Sequence, residues 1–215
     1  MRYAALMVAL LLLPAGAAAQ GPVAPVAVEK MPWVAVDIRA GFPAIGDDAL
    51  TLAGLRLTSP VDMPTRALTG VVGIHVYPLR SMRWKLGLGA ELLRGRGHLQ
   101  KKDVKGKPVG DPINRTLDAL SGQVSLNFGR GQGWSYLTVG AGPFGFDSFR
   151  GEGPGDGVGT STINAGGGAR WFKWRHVAIT ADMRFYLTKA AEGTALTAPR
   201  GAKRILVLSA GLSFK

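Results

Sequence analysis

Three histidines are the natural first candidates for acid–base chemistry in this chain, and their neighbours argue against that use. His75 precedes Val76-Tyr77, His98 precedes Leu99-Gln100 and His176 precedes Val177-Ala178, so none forms a His-x-Ser pair of base and nucleophile on one strand face. No grouping of His, Asp and Glu has metal-ligand spacing. The chain has no cysteine, which removes thiolate metal sites, a disulfide framework and a lipid-modified N-terminal cysteine together. Gly129-Arg130-Gly131-Gln132-Gly133 has the glycines of a phosphate-binding loop but lacks the Gly-Lys-Ser/Thr ending and a following helix, so it reads as a turn. Asn114-Arg115-Thr116 matches a glycosylation acceptor by letters alone. No cofactor and no catalytic residue are expected.

The charges are more informative. Asp37, Arg39, Lys85, Glu91, Arg170, Asp182 and Arg184 alternate with apolar residues, four positive and three negative, nearly balanced in a chain whose net charge is +12. Opposite charges on one polar face are expected to pair across an interior, with glycines leaving room for the long side chains. A second group, Lys101, Lys102, Lys105 and Lys107, lies in a basic loop and suits contact with anionic lipid phosphates or an anionic surface polymer.

Strands must position these residues. From Val177 to Leu187 every second residue is apolar, while Ala178, Thr180, Asp182, Arg184 and Tyr186 alternate with them. Ile163 to Trp171 repeats the pattern, and the short polar connection at Lys173 to Arg175 makes the pair an antiparallel hairpin. A face of glycines and charges does not build an ordinary apolar core, so the apolar face is expected to look outward into lipid. The same alternation predicts strands over Trp33–Phe42, Ala67–Pro78, Trp84–Arg94, Leu117–Phe128, Ser135–Phe146 and Lys203–Phe214. Connections alternate between short (78–83, 129–134, 172–176) and long (43–66, 95–116, 147–160, 189–202). Trp84, Phe128, Trp171 and Phe214 fall outward at the short-turn end of their strands, as an aromatic girdle at a membrane boundary would.

Residues 1 to 19 read as a secretory signal, with Arg2, the apolar run Ala4 to Leu13 and a small-residue cleavage site at Ala17-Ala18-Ala19. Residues 20 to 32 form a Pro-rich periplasmic lead and 33 to 215 the barrel domain. Export sets aside nucleic acid as the partner of the excess positive charge, since the basic residues lie mostly in loops rather than among aromatics.

Together these features make the chain resemble the small outer-membrane β-barrel proteins, eight-stranded barrels with a cleaved signal and a terminal aromatic. The closing segment Ser209-Ala210-Gly211-Leu212-Ser213-Phe214 is similar to that family's C-terminal assembly signal, although Lys215 follows the phenylalanine. The resemblance implies an all-β, eight-stranded antiparallel up-and-down transmembrane barrel with short periplasmic turns and long outer loops. It implies a monomer in the cell outer membrane, with lipid, lipopolysaccharide and the barrel assembly machinery as partners. Its reading is non-enzymatic, with an envelope-structural or surface-interaction role and a lumen plugged by ion pairs. A few such barrels are lipid A acylhydrolases or acyltransferases; the deacylases show His-x-Ser on a lipid-facing strand, which this chain lacks. A narrow pore through the charged interior is a further alternative. The main rival is a secreted soluble barrel of the lipocalin type, which needs the opposite assignment of faces, apolar inside and charged outside.

Overall fold

A computed structural model of the chain describes residues 32–45, 64, 67–81, 84–130, 133–152, 157–193, 199 and 201–215. The expected signal peptide, nearly all of the lead and most of loop 43–66 lie outside the described residues. Eight strands follow in chain order: β1 Val34–Ile45, β2 Leu68–Arg80, β3 Trp84–Leu99, β4 Ile113–Arg130, β5 Gly133–Arg150, β6 Val158–Phe172, β7 Val177–Thr188 and β8 Arg204–Phe214. Each pairs antiparallel with its sequence neighbour, and β8 returns to pair with β1, closing the barrel. Closure leaves no strand edge, the condition for placing a sheet in a medium that cannot hydrogen-bond its backbone.

The register fixes the geometry. Cross-strand partners run from Ile45 through Ile205, Tyr186, Asn164, Gly140, Gln123, Gly89 and His75 back to β1 at Ala35, ten residues below the starting point. A shift of that size over eight strands tilts them by about 43° from the barrel axis. The interior is then just wide enough for side chains to fill.

Alternation assigns the faces as expected. Ile38, Val72, Ile74, Leu88, Leu120, Val124, Val139, Ile179 and Leu212 point outward and are exposed, with Leu137 reaching 61%. Asp37, Glu91, Asp182 and Arg184 are buried within, the reverse of what a soluble ligand-binding barrel requires. On β3 the outward apolar residues run from Trp84 to Leu92 and give way to Arg94. At roughly 3.3 Å per residue and this tilt, that segment rises about 19 Å, most of the height of a membrane-barrel apolar band.

Several strands outrun their sequence-predicted ends. β1 continues through Pro43, which pairs with Val207 of β8, and β2 continues past a bulge to Leu79 and Arg80, opposite Leu86 and Lys85. The largest change is at β3–β4, where pairing extends to Leu99–Ile113, so the basic loop 95–116 shrinks to 100–112 and His98 sits in a strand. The hairpin continues because Ile113, Arg115 and Leu117 still bury their side chains inside. In β5, which continues to Arg150, Pro143 has no N–H to donate, and the ladder to β4 is interrupted between Ala119 and Gly122.

Candidate functional site: the charged lumen

The interior is arranged in tiers along the barrel axis. At the short-turn end Tyr77, Trp134 and Phe172 pack with Ala35 and Ala178. Trp134 lies 5.6 Å from Tyr77 and 5.3 Å from Phe172, centroid to centroid, forming an aromatic floor.

Immediately above, Arg170 grips Asp37. Its Nε donates to Oδ1 at 3.0 Å and its Nη2 to Oδ2 at 2.6 Å, the two-pronged geometry that a guanidinium offers a carboxylate. Ser213 donates its hydroxyl to the same carboxylate, and Asn127 Oδ1 accepts from Arg170 Nη1 at 3.5 Å. The guanidinium also lies 4.3 Å from the Tyr136 ring and 5.3 Å from that of Trp134. His75 is buried with Nε2 3.8 Å from Asp37, too far for a hydrogen bond.

The next tier is a closed ring of four charges from three strands. Glu91 of β3 accepts from both Arg39 of β1 and Arg184 of β7. Asp182 of β7 completes the ring, 2.9 Å from Arg39 Nη1 and 3.0 Å from Arg184 Nη2. Tyr136 donates to Asp182 at 2.8 Å and Tyr186 to Glu91 at 3.0 Å. Each carboxylate therefore bridges both arginines and takes a phenol in addition, the hydrogen bonding that buried charges need. Glycines make the space. Gly168 stands opposite Asp182 on the neighbouring strand, and a Cβ there would come within 2.6 Å of the Tyr136 hydroxyl.

Six of the seven predicted lumen charges are thus brought together, three arginines with three carboxylates. Lys85 is the exception. It is half-exposed at the short-turn end of β3, and no ion pair joins it to the network. The six predicted charges that meet are three of each sign, and Arg115, which the sequence reading did not place inside, is buried farther up the barrel.

The long-loop half holds what sequence reasoning missed. Ile45, Val71, Leu93, Leu117, Ala119, Phe144, Phe146, Ile205 and Val207 pack with Tyr186 in an apolar cluster inside the barrel. The signal was present in adjacent apolar residues, Val71-Val72, Leu92-Leu93, Ala119-Leu120 and Ile205 to Leu208, where both faces of a strand are apolar. Arg115 is fully buried beyond this cluster and donates to the carbonyl of Pro64 at 3.0 Å.

On the exterior, Trp84, Phe128, Trp171 and Phe214 are all exposed, and Trp84 is the direct cross-strand partner of Phe128. Lys101, Lys102, Lys105 and Lys107 are exposed around the tip of the β3–β4 hairpin. Lys102 bridges to Pro108, and Asp103 Oδ1 accepts from the backbone N–H groups of Lys105 and Lys107, both at 2.8 Å. The loop is a built turn that presents its lysines.

No protein-family model matches the chain, and no curated protein sequence does. Solved structures do. Neisserial surface protein A superposes with a TM-score of 0.56 at 12% identity, covering 87% of this chain and 99% of that one. Ail, the attachment invasion locus protein of Yersinia pestis, covers 84% of this chain and 97% of its own at 12% identity, with a TM-score of 0.48. The N-terminal β-barrel domain of Pseudomonas aeruginosa OprF covers 84% and 97% at 14% identity and a TM-score of 0.39. The fold is that of the small eight-stranded outer-membrane barrels.

Proposed function

We propose that this chain is a non-enzymatic integral protein of the bacterial outer membrane. In this reading its lumen is sealed by ion pairs and its surface activity resides in the β3–β4 hairpin. The observation that carries the membrane assignment is the continuous apolar exterior around a closed barrel with buried charges. Soluble proteins do not expose apolar area on this scale, whereas lipid rewards it. Fractionation tests it: the protein should require detergent for extraction and run at a heat-modifiable position on a gel. Recovery in an aqueous periplasmic extract would overturn the assignment.

The sealed lumen is supported by the neutral ion tier, closed below by Trp134 and Phe172 and above by Phe144, Phe146 and Leu93. Apolar tiers on both sides shield the pairs from water, which strengthens their attraction, and this favours a sealed interior over an ion path. Refolded protein in planar bilayers is expected to show no discrete conductance steps; regular steps would favour a pore. At the hairpin, four lysines on a hydrogen-bonded turn stand roughly 20 Å above the end of the apolar band, within reach of the anionic polar region of lipopolysaccharide. Their joint replacement by glutamine should weaken lipopolysaccharide binding while leaving the barrel folded. Unchanged binding would dismiss that role.

A further inference from the structure

The opposite end of the barrel has an asymmetry of its own. Among the described residues at the short-turn end, Arg80, Lys173, Arg175 and His176 are exposed and Lys85 and Lys215 half-exposed. Among the described residues the acid nearest this end is Asp37, whose carboxylate is already taken by Arg170 and Ser213. The long-loop end differs, because there Asp103, Asp111, Asp118, Glu152 and Glu192 are interspersed among the cations and Arg94 pairs with Asp118 at 2.9 Å.

We propose that the short-turn end docks the headgroups of anionic phospholipids in the leaflet facing the periplasm. The proposal rests on the outer-membrane reading above. Three observations carry it. Arg80 and Lys85 stand directly opposite each other across β2 and β3, a like-charge pair that repels unless an anion lies between or beside them. Two of the cations are held in place by rings, Arg80 at 3.3 Å from the Trp33 centroid and Lys215 at 4.3 Å from that of Phe172, so the charge is positioned before any ligand arrives. Exposed Trp33 and Trp174 stand at the same end as the outward ring of Trp84, Trp171 and Phe214, the aromatic composition found at headgroup depth. Cations interleaved with indoles at that level meet lipid phosphate before they meet a soluble polymer.

The test compares lipid retention by native mass spectrometry after the refolded protein is equilibrated with an equimolar mixture of phosphatidylglycerol and phosphatidylcholine. The wild type should retain phosphatidylglycerol preferentially, and Lys173→Gln with Arg175→Gln should reduce that preference roughly fivefold per cation removed. Both residues are exposed in a turn, so folding is expected to survive. Lys105→Gln at the other end serves as the control and should leave the preference unaltered. Equal retention of the two lipids by the wild type, or a preference untouched by the double substitution, would overturn the proposal. Competition by soluble peptidoglycan fragments that displaced the lipid would overturn it as well, in favour of a polymer ligand. Failure of the membrane assignment itself would appear separately, as absence of insertion into pure phosphatidylcholine vesicles.

Discussion

In the ring of Arg39, Glu91, Asp182 and Arg184 each carboxylate bridges both arginines, so removing one member leaves two others short of a partner. Asp182→Ala leaves two buried guanidinium groups short of a counter-charge and should lower stability by about 3–5 kcal/mol, read as a shifted urea midpoint for the protein in lipid. Unchanged stability would mean that the ring does not seal the lumen. For the separate pair, Asp37→Ala combined with Arg170→Met should cost less than the sum of the two single changes, because the double variant leaves no unpaired charge. Gly168→Ala adds one methyl group where the Tyr136 hydroxyl already stands and should cost about 1–3 kcal/mol on the same measurement. A neutral outcome there would mean that the β7 backbone at Ala181, which a Cβ would also meet, and Tyr136 both give way without cost. At this scale the charged residues were legible in the sequence, while Lys85 was not separable from them. It shares their face and differs only in standing at the strand end, where water reaches it.

The β3–β4 hairpin is the element whose sequence reading changed most. Its strands continue beyond the apolar band because Ile113, Arg115 and Leu117 still find an interior to fill, which an apparent loss of alternation near Gly95 and Gly97 conceals. Asp103 organises the tip through two backbone hydrogen bonds. Asp103→Ala should therefore cost the turn about 1 kcal/mol and accelerate amide exchange at Lys105 and Lys107, leaving exchange in β7 and β8 unaltered. Uniform acceleration across the barrel would contradict a local role.

The whole molecule has two unlike faces, an apolar exterior and a mixed polar and apolar interior. Val124 is exposed near the middle of the apolar band on β4, between Phe128 at one margin and Asp118 at the other. Val124→Arg should destabilise the protein in bilayers by about 2–4 kcal/mol, whereas Arg96→Gln above the band should change little. Equal, small effects would point to an exterior facing water. The barrel can afford a polar interior because its exterior need not be polar, and three arginines with three carboxylates balance within its central tiers.

Which residues share a face was determined by the sequence alone, since period two is a local property of any extended chain. The number of strands and the alternation of short and long connections followed from the same pattern. Which charge meets which was decided only by tertiary structure. Arg39 and Glu91 lie on strands that do not touch, and Arg184 is two strands from β1 only because β8 closes against it. Those distances depend on the ten-residue stagger around the ring, which no local spacing encodes. The same closure gathers the second apolar residue of pairs such as Leu92-Leu93 into a lid over the charges, where alternation alone leaves it without a partner.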